Sequence, residues 1–178
     1  MRFSGYGFFH AIYLSLCLIL TKVFYPKARL IRFPFRLRTI GVFNYHKGLT
    51  IGFNNRIDVY GGGLLTIGEN VQINDHCHLA CSQKITVGAN CLIASRVYIT
   101  DHDHDFSNVQ DKPIDWPLKS QEVIIGENTW IGEGVCILKG VIIGSNCVVG
   151  ANSVVTKSMP CNSVLAGVPA KVISKRFI

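Results

Sequence analysis

Branched aliphatic residues recur at every sixth position in the C-terminal half of the chain, with mostly small or polar residues between them. The uninterrupted run comprises Ile125, Ile131, Ile137, Ile143, Val149 and Val155. A helix repeats near 3.6 residues and a strand near 2, so neither produces a period of six. A coil that turns a corner every six residues does, because each side sends one aliphatic side chain inward. Glycine follows four of the six, and we expect it to bend the backbone at the corners. The pattern predicts an all-β fold, a parallel β-helix.

The repeat also predicts where the coil begins and where it is interrupted. Hexads start irregularly near Ile51 and Ile57, and about eighteen residues per three-sided turn leave room for roughly six turns. The segment 101–122 is polar, contains two prolines and no hexad, and is therefore expected to project from one face as a loop. We predict an N-terminal segment, 1–50, and a β-helix domain, 51–178.

The N-terminal segment carries a strongly apolar stretch at residues 8–25. Such a stretch predicts a helix that is buried or in contact with a membrane. Its length, roughly 18 residues, lies at the lower limit for crossing a bilayer. We expect it to lie on a membrane face or to cap the coil, together with the basic segment that follows.

Charge is distributed unevenly along the chain. The net charge is +7, but residues 1–57 contain nine Lys or Arg and no Asp or Glu, so that the remainder carries a small negative charge. The basic segment is either a solvated surface or a surface that docks on anionic lipid. Because the coil itself is not basic, we expect no nucleic-acid partner. Seven cysteines without framework-like spacing indicate free thiols and a reducing compartment, hence a cytoplasmic protein, peripheral at the inner face of the cytoplasmic membrane.

Five motifs occur in a fixed order between residues 65 and 175. They are INxxC (Ile73 to Cys77), TxH (Thr100 to His102), NxWIG (Asn128 to Gly132), VVTK (Val154 to Lys157) and AGVPAKVI (Ala166 to Ile173). This order resembles the hexapeptide-repeat acyltransferases, and most closely their galactoside, maltose and xenobiotic O-acetyltransferase branch with its polysaccharide-modifying relatives. The resemblance implies a left-handed coil, a homotrimer with active sites between neighbouring subunits, and acetyl-CoA as the co-substrate.

The resemblance also implies the catalytic residues. His102 aligns with the family's catalytic histidine, and His104 is the alternative. An imidazole titrates near neutrality and can remove the proton of a hydroxyl as it attacks a thioester. Asp101, Asp103 or Asp105 could orient the ring, and the sequence does not choose between them. Asn74 matches the asparagine that contacts the acceptor sugar, or else stabilises a coil corner. Trp130 matches the tryptophan beside the cleft, or else packs at a subunit interface.

Coenzyme A contacts follow from the same resemblance. The backbone N–H groups of Gly132 and Glu133 are candidates for stabilising the oxyanion. The remaining positions that the resemblance assigns to coenzyme A are Ala151, Thr156, Lys157 and Lys171. The two lysines would act as point charges for phosphate.

The predicted function is transfer of acetyl from acetyl-CoA to a sugar hydroxyl of a cell-surface polysaccharide precursor, such as a lipid-linked O-antigen or capsule unit. An N-acetyltransferase of nucleotide- or lipid-linked amino sugars is the nearest alternative. A non-catalytic scaffold remains open, as does a zinc hydratase, since His76, His78, His102 and His104 could supply imidazoles. We expect no metal site.

Overall fold

The computed structural model describes residues 7–107 and 112–176, which form one N-terminal helix and a three-sided coil of six turns. The helix is α1 (Phe8–Phe24), and a short 3-10 helix occupies Pro113–Asp115. The first three turns contain β1 (Leu30–Ile31), β2 (Phe35–Thr39) and β3 (Val42–Tyr45); then β4 (Thr50–Ile51), β5 (Asn55–Val59) and β6 (Leu64–Ile67); then β7 (Gln72–Ile73), β8 (His78–Cys81) and β9 (Lys84–Val87). The fourth turn contains β10 (Leu92–Ile93), β11 (Tyr98–Thr100) and β14 (Val123–Ile125), with the hairpin strands β12 (His102–His104) and β13 (Leu118–Ser120) between the last two. The fifth turn contains β15 (Trp130–Ile131), β16 (Cys136–Ile137) and β17 (Ile142–Ile143), and the sixth contains β18 (Val148–Val149) and β19 (Val154–Val155). Two further strands, β20 (Ser163–Gly167) and β21 (Ala170–Lys175), close the C-terminal end.

The first five turns each contribute one strand to each of three parallel sheets, and the sixth turn contributes β18 and β19 to two of them. Sheet A contains β1, β4, β7, β10, β15, β18 and β20, with β21 antiparallel at its edge; sheet B contains β2, β5, β8, β11, β16 and β19; sheet C contains β3, β6, β9, β14 and β17. The register places each inward aliphatic residue on the next, as Ile93 pairs with Ile131 and Ile131 with Val149. All six residues of the predicted run are at most 1% exposed. The predicted β-helix is confirmed.

The corners show that glycine acts differently from the prediction. Gly126 follows an inward isoleucine but does not have a positive φ, and a Cβ built on it would lie 2.4 Å from the backbone N of Ser145 in the next turn. Glycine is therefore required there by close stacking of corners. The left-handed bend is made two residues later by asparagine, as at Asn128 with φ of 55°. Asparagine tolerates this region better than most side chains do.

The first turn of the coil begins earlier than the hexads indicate. Strands β1 to β3 pair in parallel with β4 to β6, so the coil starts at Leu30 and not near Ile51. The difference arises because Phe35, Leu37, Phe43 and Tyr45 pack on the core at this end. Three of the four are aromatic, whereas the repeat was recognised on branched aliphatic residues.

Helix α1 packs on the first turn and leaves much of its apolar surface uncovered. Thr21 is buried, and its Oγ1 accepts a 2.8 Å hydrogen bond from the backbone N–H of Ile31. Large side chains on the same helix are exposed, including Phe9, Leu16, Ile19 and Val23. Within residues 7–107 and 112–176, no helix has both the length and the apolar character needed to cross a membrane.

Candidate active site

The predicted projecting loop is a β-hairpin inserted between sheets B and C in the fourth turn. Strand β12 follows β11 almost directly and pairs antiparallel with β13, which puts His102 opposite Ser120. Residues 108–111 of the predicted loop lie outside the described residues. The hairpin thus starts beside the rigid coil, and His102 is its first strand residue.

Asp101, between β11 and β12, is fully buried and held by backbone amides. Its carboxylate accepts hydrogen bonds from the N–H groups of Ser82 at 2.8 Å and of Gln83 and Lys84 at 2.7 Å each. Burial by itself would raise the pKa of Asp101, but the hydrogen bonds from His102 and from these amides outweigh it and lower the pKa below its ordinary value. Asp101 is therefore a carboxylate at neutral pH.

The ring of His102 is oriented by this carboxylate. Its Nδ1 lies 2.8 Å from Asp101 Oδ1, and its side chain is only 10% exposed. An ionised carboxylate only accepts hydrogen bonds, so Nδ1 carries a proton and, in the neutral ring, Nε2 has the lone pair. The ring of Tyr60 packs edge-on against the imidazole, with 5.3 Å between the centroids. This arrangement leaves Nε2 as the basic atom.

A cavity of about 330 Å³ adjoins the histidine. Its lining includes Tyr98, Thr100, His102 and His104, together with Lys139, which forms an ion pair with Asp103. His104 lines the same cavity, but its Nδ1 hydrogen-bonds to the carbonyl oxygen of Trp116 at 2.9 Å. The alternative histidine thus has a weaker, neutral partner than His102 has.

Among the three candidate aspartates, the geometry selects Asp101. Asp103 is exposed, and its carboxylate is paired with Lys139. The carboxylate of Asp105 accepts a 3.0 Å hydrogen bond from the N–H of Ser107. Sequence reasoning left this choice open because all three alternate within one short acidic string. Tyr60 and Lys139 were missed, since they come from other turns of the coil and nothing near them in sequence points to the site.

Asn74 and Trp130 lie on a different side of the coil from His102. Trp130 belongs to β15 in sheet A and is 51% exposed, and Asn74 follows β7 of the same sheet. The Oδ1 atom of Asn74 accepts a 2.9 Å hydrogen bond from Gln72 Nε2. Neither residue lines the cavity beside His102. A single chain therefore does not bring the three predicted catalytic residues together.

The predicted coenzyme A residues fall into two groups. Thr156, Lys157 and Lys171 line one cavity of about 320 Å³ near the C-terminal end of the coil. Gly132 lies at the corner between sheets A and B, where a Cβ on it would be 2.7 Å from the backbone N of Ala151. Glu133 is next to it, and its exposed side chain pairs with Arg96.

One predicted donor is already engaged. The N–H of Gly132 donates a 2.8 Å hydrogen bond to the carbonyl oxygen of Val149, which is part of the stacking of sheet A. In this structure the N–H of Gly132 is therefore not available to donate to an oxyanion. Along the described chain, the N–H of Glu133 has no backbone acceptor, so it remains a candidate.

The four histidines of the zinc alternative have separate partners. His78 Nε2 lies 2.9 Å from Asp58, His76 Nδ1 lies 3.1 Å from Asn54 Nδ2, and His102 faces Asp101. Within the described ranges, no three His, Cys, Asp or Glu residues are grouped as metal ligands.

Comparison with known proteins defines the class first. Residues 122–157 match the family described as bacterial transferase hexapeptide (six repeats). A protein of Escherichia coli K12 that carries the name lipopolysaccharide biosynthesis O-acetyl transferase WbbJ is 44% identical over an alignment of 178 positions, which covers 96% of this chain and 90% of that protein. The chain belongs to the hexapeptide-repeat acetyltransferases, and it is an acyltransferase as the sequence predicted.

Two solved structures of acyltransferases have a similar fold. An N-acyltransferase from Bacillus cereus, AntD, in complex with dTDP and coenzyme A, has a TM-score of 0.67 at 25% identity and covers 89% of this chain and 88% of its own. A maltose O-acetyltransferase from Clostridium difficile has a TM-score of 0.63 at 27% identity, and the match covers 97% of this chain and 90% of that protein. The predicted coenzyme A dependence agrees with the first of these structures. Since one neighbour acylates nitrogen and the other oxygen, the fold alone does not distinguish the acceptors.

Proposed function

We propose that the protein transfers acetyl from acetyl-CoA to a sugar hydroxyl of a lipopolysaccharide or related surface-polysaccharide precursor. The observation that carries this proposal is the His102–Asp101 pair, in which a buried, amide-bound carboxylate orients an imidazole beside a cavity. A hydroxyl needs a base to become an effective nucleophile, and this pair supplies one. The choice of a hydroxyl and of a polysaccharide acceptor is supported by the 44% identity to WbbJ.

In the proposed reaction, His102 Nε2 removes the proton of the acceptor hydroxyl as its oxygen attacks the thioester carbonyl. The carboxylate of Asp101 stabilises the imidazolium that forms and holds the ring in place. A backbone N–H, of which Glu133 is the remaining candidate, donates to the oxyanion. The carbon–sulfur bond then breaks, and the imidazolium returns its proton to the sulfur, which leaves as the thiol of coenzyme A.

We further propose that the complete site is shared between subunits of a homotrimer. Asn74 and Trp130 lie on sheet A and His102 on the hairpin, so both can serve one acceptor only if neighbouring copies contribute them. The cavity of Thr156, Lys157 and Lys171 offers two cations for the phosphates of coenzyme A.

Location at the inner face of the cytoplasmic membrane is also part of the proposal. The exposed apolar side chains of α1 lie in a segment whose only charged residues are basic. This combination favours contact with an anionic leaflet, where a lipid-linked acceptor would be found.

The test compares His102→Ala with His104→Ala, a matched control from the same strand. We expect His102→Ala to lower acetyl transfer by about 10² to 10⁴-fold, because the general base is lost. His104→Ala should retain activity within a few-fold. Transfer is measured as release of coenzyme A thiol and as acetyl gained by glycan from cells that lack the protein. Full turnover by folded His102→Ala protein would contradict the assignment.

The second candidate function is acylation of an amino sugar, which the similarity to AntD favours. A neutral amine is already nucleophilic and depends less on a base. The same assay with an amino-sugar acceptor separates the two functions. Acylation of the amine without acylation of the hydroxyl would favour the second candidate.

A further inference from the structure

Two adjoining cavities lie between α1 and the first turns of the coil, and neither has a part in the proposed reaction. The first, here called the basic cavity, measures about 640 Å³ and is lined by Lys22, Lys27, Arg29, Lys47 and Glu69, among others. The second, called the apolar cavity, measures about 400 Å³ and is lined by Ala11, Leu14, Leu18 and Leu30 with a few polar residues. Arg29 lines both cavities. The two cavities therefore adjoin at Arg29, one charged and the other apolar.

The basic cavity has an excess of positive charge that the chain does not neutralise. Its four Lys and Arg residues face one carboxylate, Glu69, and among the described residues none of the four forms an ion pair. Lys22 Nζ donates to the carbonyl oxygen of Ala28 at 2.7 Å, and Arg29 donates to Asn70 Oδ1 at 3.3 Å. Uncompensated cations around a concave surface attract an anion, and phosphate is the group that such clusters bind.

The lysines are carried by well-anchored backbone. The carbonyl oxygen of Lys27 accepts the N–H of Gly48 at 3.0 Å, and that of Lys47 accepts the N–H of Asn70 at 2.9 Å. These bonds tie the two lysine-bearing segments into the first corners of the coil. The positive charges are thus held around a fixed cavity rather than on a mobile tail.

One residue that lines the apolar cavity has a polar atom without a partner. Thr50 lines this cavity, and its Oγ1 is buried and has no hydrogen-bond partner within the described part of the chain. A buried hydroxyl normally finds a partner, and leaving it without one costs on the order of 1 to 3 kcal/mol. A hydrocarbon chain in this cavity would cover Leu14, Leu18 and Leu30.

We propose that the two cavities together bind a lipid phosphate, with the phosphate among Lys22, Lys27, Arg29 and Lys47 and the hydrocarbon chain against α1. A soluble anion would leave the apolar cavity empty, and an uncharged lipid would leave the cations unpaired. The lipid phosphate is either a membrane glycerolipid or an isoprenoid carrier, which share this chemistry. The proposal concerns binding alone and does not depend on acetyl transfer.

The test uses dispersed short-chain ligands, which avoid general adsorption of α1 to a bilayer. Dihexanoyl phosphatidate and farnesyl phosphate are titrated by calorimetry, with inorganic pyrophosphate as the chain-free probe. The double variant Lys27→Gln/Lys47→Gln should bind both lipid phosphates about 30-fold more weakly, which corresponds to about 2 kcal/mol for two basic residues. The control Lys84→Gln/Lys112→Gln removes the same charge elsewhere and should bind like the parent protein.

A second variant tests the apolar part. Ala11→Phe places a ring in the apolar cavity and should weaken lipid phosphate binding, although it makes the protein more apolar. Thermal unfolding shows whether each variant is folded. Tighter binding of farnesyl phosphate identifies the isoprenoid source, and tighter binding of phosphatidate identifies the glycerolipid. Equal binding by the Lys27/Lys47 variant and its control, or pyrophosphate binding as tightly as the lipids, would overturn the proposal.

Discussion

Asp101 is the residue on which the geometry of the candidate site depends. Its side chain is buried, yet it is charged, because three backbone N–H groups and His102 Nδ1 surround its oxygens. Such an arrangement stabilises the carboxylate more than burial destabilises it. The same contacts fix the tautomer of His102. Structural stability and readiness for proton transfer therefore depend on one carboxylate.

Asp101→Asn should show this coupling in the pH dependence of stability. The pKa of Asp101 is lower in the folded protein than its ordinary value of 3.8. Its contribution is therefore present above about pH 3.8 and is lost as the pH falls through the folded pKa. We expect Asp101→Asn to lower the free energy of unfolding by about 3 kcal/mol at pH 7, with a smaller difference below pH 3.8. Denaturant unfolding between pH 3 and 7 measures it.

Asp103→Asn is the matched control, because its carboxylate is exposed and pairs with Lys139 at the surface. Its stability should change much less than that of Asp101→Asn across the same pH range. Equal losses in the two variants would show that Asp101 has no special role in stability.

Helix α1 has one side attached to the coil and another side exposed. One side attaches it to the coil through Thr21 and through Tyr13, whose hydroxyl donates to the carbonyl oxygen of Phe33 at 2.7 Å. The other side exposes large apolar residues to solvent. An exposed apolar face beside basic residues is typical of a helix that lies in the membrane interface.

Substitution on the exposed side of α1 should weaken membrane contact without unfolding the coil. Ile19 and Val23 are 59% and 66% exposed. We expect Ile19→Gln/Val23→Gln to bind anionic vesicles at least about tenfold more weakly, since two apolar side chains no longer enter the interface. Flotation with phosphatidylglycerol vesicles measures the binding.

The control is Ile114→Gln on the hairpin, where the isoleucine is 86% exposed. It should bind vesicles like the parent protein. If the α1 variant binds unchanged but dissociates into smaller oligomers, the exposed face is a contact between copies of the chain and the membrane proposal is wrong.

At the scale of the whole molecule, the coil separates residues that one reaction requires. The three sheets face in different directions, so that Trp130 on sheet A and His102 at the boundary of sheets B and C cannot meet within one chain. Rotational assembly of identical copies brings unlike faces together, because each heterologous contact joins two different surfaces. The proposed homotrimer would satisfy this requirement.

Complementation between two inactive variants tests the shared site. His102→Ala and Trp130→Ala should each have low activity when purified alone. Trimers that contain both variants should regain about a third of parent activity, because one of their three interfaces pairs an intact histidine with an intact tryptophan. The chains are co-expressed with different tags and doubly purified. Absence of recovery in verified mixed oligomers would indicate a site within one chain.

The sequence by itself determined the β-helix, its interruption and the residues that belong to the family's motifs. The period of six can be recognised in the sequence because every side of the coil needs one inward aliphatic residue, as Ile131 and Ile137 illustrate. The early start of the coil was missed, because aromatic residues such as Phe43 stand at core positions of the first turn, where the repeat was recognised on branched aliphatic residues. The local sequence pattern thus specifies the regular turns of the coil but not the turn that departs from the repeat.

Only the tertiary structure decided which aspartate supports His102, that the amide of Gly132 is already used, and that two cavities meet at Arg29. Asp101 is next to His102 in the chain, but the amides that hold its carboxylate lie 17 to 19 positions away, and the other two findings likewise join residues on successive turns. Those contacts depend on how closely the turns stack and on which side chains the stacking buries. The sequence of a single turn specifies neither.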